Sequence, residues 1–169
     1  DFDHADIVYA SLVPYESTRA AEIVARELGR PLVVDLQDPW ALDEMWVYPS
    51  ELHRRLDLLR MRRSLRAADA IVMNTPDSRA RVLERFPELR SKVVVSIPNG
   101  FDAADFASDS PPARRDGTFR IVHTGYLHTE LGRSHRRTAR LKRVLGGAMA
   151  GVDILTRSHI YLLEAIQSV

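Results

Sequence analysis

Polar and aromatic side chains follow the first two strand-like segments of the sequence. Tyr15 comes shortly after the first apolar run, and Gln37, Asp38 and Trp40 come directly after the run Pro31–Leu36. Ligands of open α/β sheets bind beyond the carboxyl ends of the strands, so these four residues are candidates for a binding site. Asp38 could accept a hydrogen bond from a substrate hydroxyl, or it could cap the adjoining turn. Trp40 could stack on a ring-shaped ligand, or it could anchor a buried loop.

A second group of candidates follows the later strand-like segments. Thr75 comes after the third segment, where it could also cap a helix. The other members follow the last segment and are Thr124, Gly125, Tyr126 and His128. Gly125 lacks a Cβ atom, so the backbone there could approach a phosphate closely and bind it through N–H groups. A plain strand-to-helix turn is the alternative explanation of this glycine.

Composition and missing motifs exclude several classes of protein. The formal net charge is +1 with 24 basic and 23 acidic residues, which argues against nucleic acid as a partner. The chain contains no cysteine, so thiolate chemistry and disulfide scaffolds are excluded. The six histidines show no metal-ligand spacing, and there is no Walker loop or Gly-x-Ser-x-Gly elbow. We therefore expect no metal and no resident cofactor.

Strand-like and helix-like segments alternate along the first two thirds of the chain. The apolar runs are Ile7–Ala10, Pro31–Leu36, Ala70–Met73, Val93–Ile97 and Phe119–His123. Their consecutive apolar residues predict parallel strands that are buried on both faces. Helical spacing between them predicts crossover helices over Ser17–Leu28, Ser50–Ala68 and Thr75–Phe86. Ser17 and Thr75 are predicted N-caps, and Gly29 is a predicted helix end. This alternation predicts an α/β fold.

The alternation of elements ends at the turn-forming residues Ile97–Gly100. The stretch 99–117 is rich in Asp and Pro and is predicted to be a linker. Residues 118–169 are predicted to begin a second domain with one strand and trailing helices. Because a single strand has no ladder partner, we expect the natural chain to continue beyond Val169. Asp1 lies only about six residues before the first buried-type strand, so the first units of the sheet could also be absent.

Several segments, in this order and spacing, resemble the GT-B, family 4-type glycosyltransferases. The resemblance rests on Asp35–Trp40, on Val94–Asp102 with its Asn-Gly-x-Asp turn, on Ile121–Tyr126 and on Ser158–Gln167. It implies two Rossmann-like domains that face each other across a cleft. Residues 1–98 would belong to the N-terminal acceptor-side domain, and 118–169 would begin the C-terminal donor-binding domain.

The resemblance also implies an activity and roles for the candidate residues. The enzyme would move a sugar, as a hexosyltransferase, from a nucleotide-diphosphate sugar to a glycan, a lipid-linked acceptor or a small molecule, with retention, as in polysaccharide biosynthesis. Asp38 would be catalytic. The substrate-binding residues would be Gln37, Trp40, Tyr15 and Thr75, and the donor-binding ones Thr124, Gly125, Tyr126 and His128. Trp40 would stack on a sugar ring, and Gln37 stands where relatives often carry His.

Two departures from the family pattern limit what this sequence can do alone. Residues Arg133–Arg157 intervene between the glycine turn and the next helix, which suggests an insertion or an altered first crossover. The family's paired glutamates and its N-terminal glycine-rich loop would lie outside the sequence. We therefore expect the 169 residues of this sequence to be inactive on their own. The alternatives are a non-catalytic α/β module that binds phosphate or lipid, and another GT-B enzyme such as a sugar-nucleotide epimerase.

Two arginine-rich segments suggest a further partner. Residues 51–66 carry six arginines against two acids, and Leu52, Leu56, Leu59 and Leu65 are predicted to form their apolar side. Residues 133–143 carry six basic residues and no acid, and a loop is the favoured interpretation. Residues 51–66 could rest on anionic lipid, and residues 133–143 could bind phosphate, lipid or nucleic acid. We expect a cytoplasmic protein that could also lie at the inner face of a membrane. A solvated arginine face over a core stripe is the alternative for residues 51–66.

Overall fold

Four parallel strands form the sheet in the computed structural model, which describes residues 4–106, 117–118, 120–146 and 153–168. The strands are β1 (Val8–Ser11), β2 (Leu32–Leu36), β3 (Ala70–Met73) and β4 (Val93–Ser96). Their order in the sheet is β1-β2-β3-β4, and the register pairs Ala10 with Val34, Val34 with Ile71 and Ile71 with Val94. The predicted Rossmann-like α/β fold is confirmed.

A helix connects each strand to the next. The connecting helices are α1 (Ser17–Leu28), α2 (Glu51–Ala67) and α3 (Pro76–Arg85). Two more helices follow, α4 (Thr129–Val144) and α5 (Ile160–Gln167). Short 3-10 turns occupy Trp40–Leu42, Pro87–Ser91, Ala103–Phe106 and Ile154–Arg157. The three predicted crossover helices are confirmed within one or two residues at each end.

The sheet has one covered face and one open face. Each strand adds to the same side of the sheet, and right-handed crossovers then place α1, α2 and α3 on a single face. Val34, Ile71 and Val94 lie on that face and are buried, whereas Tyr9 and Val93 on the opposite face are exposed. The prediction that every strand is buried on both faces is therefore wrong for the outer strands β1 and β4, which alternate.

Helix α2 packs on the core through a different set of residues than predicted. Leu58, Met61 and Leu65 are buried in the core. Leu52, Leu56 and Leu59, which were predicted to share the apolar side with Leu65, are exposed. The helix carries apolar residues on two sides, and its own periodicity cannot tell which side meets the sheet.

Local capping signals were correct at two positions and wrong at one. Gly29 ends α1 with φ of 60°, and Thr75 caps α3 by accepting a hydrogen bond from the Ser78 N–H at 3.0 Å. Ser17 is not the N-cap of α1, because the helix begins at this residue. Its hydroxyl instead donates to the carbonyl oxygen of Pro14 at 2.7 Å.

The later part of the chain differs from the prediction. Residues 120–124 do not form a strand, which is consistent with the absence of a ladder partner among the described residues, and Phe119 lies outside the described residues. The arginine-rich segment 133–143, expected as a loop, belongs to α4. The segment Ser158–Gln167, which resembles the helix that follows the glycine turn in the family, is helical over Ile160–Gln167 as α5. Most of the predicted linker, residues 107–116, lies outside the described residues.

The chain divides into two compact units. The first comprises Asp1–Pro98 with Arg136–Val152, and the second comprises Asn99–His135 with Asp153–Val169. The first contains the whole sheet and α1 to α3. The assignment of these parts to an acceptor-side domain and a donor-binding domain stays a prediction.

The Thr75 cap yields a stability prediction. Thr75→Ala removes the acceptor for the Ser78 N–H and should lower the free energy of unfolding by about 1 kcal/mol. Thr75→Ser keeps the hydroxyl and should stay close to wild type. Urea unfolding followed by circular dichroism measures both variants, and equal stability of Thr75→Ala and Thr75→Ser would contradict the capping role.

Candidate functional site

A cavity of about 1000 Å³ lies in the first unit at the carboxyl edge of the sheet. The loops after β1 and β2 supply part of its wall, and α1 and α2 supply the rest. Three predicted site residues, Tyr15, Asp38 and Trp40, line it together. This is the position at which the ends of parallel strands leave a crevice for ligands.

An aromatic pair forms one wall of the cavity. The rings of Tyr15 and Trp40 stack with centroids 4.5 Å apart and planes 2° from parallel. Trp40 is only 6% exposed, and its φ of 47° is uncommon for a residue other than glycine. The buried-anchor interpretation therefore fits Trp40 better than a sugar platform, because Tyr15 already covers one of its faces.

Asp57 holds this wall in place from α2. Its Oδ2 atom accepts hydrogen bonds from the Trp40 indole N–H at 3.1 Å and from the Tyr48 hydroxyl at 2.6 Å. Burial, followed by the hydrogen bond to Asp57, raises the pKa of Tyr48 far above its ordinary value. Charged hydrogen bonds of this kind are stronger than neutral ones. The loop after β2 is thereby tied to the helix that follows it.

Asp38 is the exposed carboxylate beside the aromatic pair. Within the part of the chain that the structure describes, no protein group donates a hydrogen bond to its side chain. Its charge nevertheless reaches Tyr15: burial first, and then the Asp38 carboxylate, raise the pKa of Tyr15 to about 12. Asp38 is therefore available to accept a hydrogen bond from a ligand in the cavity.

Sequence reasoning missed an exposed aromatic ring in the same cavity. Trp46 is 52% exposed, lines the cavity and lies against Tyr48 with ring centroids 6.5 Å apart. Trp46 and Tyr48 sit in an irregular loop between β2 and α2. Aromatic residues in a loop that follows the carboxyl end of a strand were the signal that could have found them.

Charged residues of both signs complete the cavity. Arg19, Arg60 and Arg63 line it with Glu16 and Glu22, in addition to the carboxylates already described. Aromatic faces bind the apolar faces of ring-shaped ligands, and mixed charges supply hydrogen-bond donors and acceptors. The arrangement suits a polar ligand that carries several hydroxyl groups.

Two other predicted substrate-binding residues do not line this cavity. The Gln37 amide donates to Asp35 at 2.7 Å, and the Tyr9 hydroxyl donates to the same carboxylate oxygen at 2.5 Å. Asp35 is buried and lies on the open face of the sheet. Its hydrogen bond is the largest cause that raises the pKa of Tyr9 to about 12. Thr75 uses its hydroxyl in the α3 cap. Their substrate-binding roles stay predictions.

The predicted donor-binding residues lie in the second unit. Gly125 has φ of 137°, a backbone conformation that favours glycine, so a plain turn already accounts for it. The rings of Tyr126 and His128 meet edge to face with centroids 4.9 Å apart. Thr124, Gly125 and Tyr126 are exposed. Their roles in donor binding stay predictions.

The described residues contain neither a metal-binding cluster nor a membrane-spanning helix. In the described ranges, no group of three or more His, Cys, Asp or Glu side chains is arranged to hold a metal ion. Among the described helices, none combines the length and apolar character needed to cross a bilayer.

Comparison with known families decides the identity of the chain. The sequence model of the Glycosyl transferase 4-like domain matches residues 3–100, which include β1 to β4, α1 to α3 and the whole cavity lining. The chain belongs to the glycosyl transferase 4-like family. A search of curated proteins finds no match. The predicted family is thus confirmed, and its members are transferases with sugar-containing substrates.

The role of Asp57 as a shared hydrogen-bond acceptor in the glycosyl transferase 4-like domain can be tested through Tyr48. Tyr48→Phe removes a hydrogen bond to a carboxylate and should lower the free energy of unfolding by about 1.5–3 kcal/mol. Tyr126→Phe removes an exposed hydroxyl with no hydrogen bond in the described residues and serves as the matched control. Equal unfolding curves for the two variants would contradict a stabilising hydrogen bond between Tyr48 and Asp57.

The stability of the domain should also depend on alkaline pH through Tyr15. The folded-state pKa of about 12 exceeds the ordinary value of 10, so the neutral phenol favours folding. Stability should be complete below about pH 10 and should fall as the pH rises toward about 12. Tyr15→Phe should decline less steeply in urea unfolding at a series of pH values. The same slope in both proteins would argue against the raised pKa.

Proposed function

We propose that the chain forms the acceptor side of a glycosyltransferase that uses a nucleotide-diphosphate sugar and transfers a hexose with retention. The acceptor is a glycan, a lipid-linked sugar or a small molecule, and polysaccharide biosynthesis on the cytoplasmic side of a membrane is the proposed setting. Family membership supports the transfer of a sugar. The donor, the acceptor class and the stereochemistry belong to the proposal.

The observation that supports this function best is the free carboxylate of Asp38 in the aromatic cavity. Asp38 would accept a hydrogen bond from the acceptor hydroxyl and orient its oxygen toward the anomeric carbon of the donor. On one face of the donor sugar, the bond from that carbon to the diphosphate breaks as the bond to the acceptor oxygen forms. The nucleotide diphosphate leaves with the electron pair, and its oxygen takes up the proton of the acceptor hydroxyl. Trp46 and Tyr15 would pack against the sugar rings.

The donor side of the proposal rests on the second unit. Backbone N–H groups around Gly125 would donate hydrogen bonds to the departing diphosphate and stabilise its negative charge. Thr124, Tyr126 and His128 would contribute further contacts to the diphosphate. Such groups can stabilise a leaving phosphate without a metal ion. Gln37 and Thr75 remain proposed substrate contacts at the carboxyl edge of the sheet.

A peripheral membrane contact is proposed as a second property. Residues 51–66 and 133–143 are both rich in arginine, and anionic lipid attracts such segments. The contact is compatible with catalysis, and it is also what a non-catalytic lipid-binding module would require.

Substitution of Asp38 tests the proposed function. In the full-length natural enzyme, Asp38→Asn should weaken acceptor binding and reduce kcat/KM for the acceptor by about 10- to 100-fold, the effect of one charged hydrogen bond. Donor binding should not change. The matched control is Asp6→Asn, an exposed carboxylate before β1, outside the cavity lining.

The assay combines a panel of nucleotide sugars and acceptors with analysis of both products. Appearance of a glycosylated acceptor together with free nucleotide diphosphate supports transfer. Epimerised nucleotide sugar without a glycosylated product would contradict the transferase proposal and would support epimerase activity. Equal acceptor binding by Asp38→Asn and Asp6→Asn would show that Asp38 does not contact the acceptor.

A further inference from the structure

Helix α2 exposes a row of leucines on the side opposite its buried stripe. Leu52, Leu56 and Leu59 are 64%, 47% and 59% exposed, respectively. Their spacing of four and three residues places them on one helix face, which we call the leucine stripe. Because the core already packs against the other side of α2, nothing in the packing of the sheet requires leucine at these positions.

Arginines flank the leucine stripe along both edges. Helical geometry places Arg55, Arg62 and Arg66 along one edge of the stripe. Arg60 lies along the other edge, and Arg63 follows the stripe at its C-terminal end. The Arg55 and Arg60 side chains are 72% and 75% exposed. Glu51 pairs with Arg55, Asp57 with Arg60 and Glu88 with Arg62, so five arginines face three acids and the surface keeps a smaller positive surplus.

A separate cavity of about 410 Å³ adjoins the leucine stripe at Leu59. Arg55, Arg62 and Arg85 line it together with apolar side chains that include Pro87. Arg62 donates to Glu88 at 2.6 Å, and this hydrogen bond is the largest cause that lowers the pKa of Glu88. The Arg85 guanidinium lies 5.9 Å from the Phe86 ring centroid. An entering phosphate would compete with Glu88 for Arg62 and would gain Arg85 as well.

We propose that the leucine stripe enters the interface of an anionic phospholipid bilayer and that the 410 Å³ cavity receives a lipid phosphate. An apolar row edged by arginines is the pattern of helices that lie in the plane of a membrane, where arginine stems extend toward the headgroups. A second copy of the chain fits this face less well, because a symmetric contact would bring two arginine-edged surfaces together.

The position of Leu56 links this surface to the acceptor cavity. Leu56 belongs to the leucine stripe and also lines the 1000 Å³ cavity that contains Asp38 and Trp46. A membrane at the stripe therefore reaches the rim of the acceptor site. On the proposed function, this selects a lipid-linked acceptor, with the sugar in the cavity and the apolar tail in the bilayer.

Vesicle co-sedimentation without donor or acceptor tests the membrane contact apart from sugar transfer. The chain should bind vesicles with about one third phosphatidylglycerol at least about tenfold more tightly than phosphatidylcholine vesicles, and added salt should weaken the binding. The double variant Leu52→Gln/Leu59→Gln should lose about tenfold or more. Val24→Gln, an exposed apolar residue of α1, is the matched control and should bind like wild type.

Arg85→Gln tests the phosphate cavity and should weaken vesicle binding severalfold, whereas Arg30→Gln should not. Inorganic phosphate distinguishes the source of the anion. Binding of inorganic phosphate that depends on Arg85, without vesicle binding, would overturn the lipid proposal in favour of a soluble phosphate ligand. Self-association of the wild type that the leucine variant abolishes, again without vesicle binding, would assign the stripe to a second copy.

Trp46 reports whether the acceptor cavity lies near the membrane. Lipids brominated in their acyl chains should quench its fluorescence, and Trp46→Phe should remove most of the quenching because Trp40 is buried. Absence of quenching in vesicle-bound protein would overturn the link to the acceptor. Asp38→Asn should bind vesicles like wild type, so loss of transfer and loss of membrane contact can be told apart.

Discussion

The constraint on which this structure depends is the one-directional winding of a parallel sheet. Each new strand joins the same side of the sheet, and right-handed crossovers then place α1, α2 and α3 on one face. The carboxyl ends of β1 and β2 lie side by side as a result. Tyr15 and Asp38, more than twenty residues apart in the chain, therefore share one cavity.

Helix α2 connects the parts of the molecule that matter for function. Its inner side fills the core through Met61 and Leu65, and Asp57 fixes the loop after β2 through Trp40 and Tyr48. Its outer side carries the leucine stripe. One helix thus lines the cavity that contains Asp38 and also carries the surface proposed to meet lipid.

Much of the fold could be predicted because its signals are local. Apolar runs identified four strands, and Gly29 and Thr75 marked helix ends through their own backbone and hydroxyl chemistry. The candidate site was predicted in part: Tyr15, Asp38 and Trp40 meet, whereas Gln37 turns to Asp35. Trp46 was missed because an irregular loop carries no periodicity that shows where its side chains point.

From β1 to β4, the amino-acid sequence alone was enough to predict the order of strands and helices along the chain, and it also pointed to the family and to a carboxylate and aromatic residues after the second strand. Periodicity, turn chemistry and residue type along the chain carry that information. Tertiary packing was needed to show which side of α2 is buried, that Trp40 is an anchor while Trp46 is exposed, and that Asp57 joins the loop to the helix. These outcomes depend on which surfaces compete for burial and for hydrogen bonds, and that competition exists only once distant segments pack together.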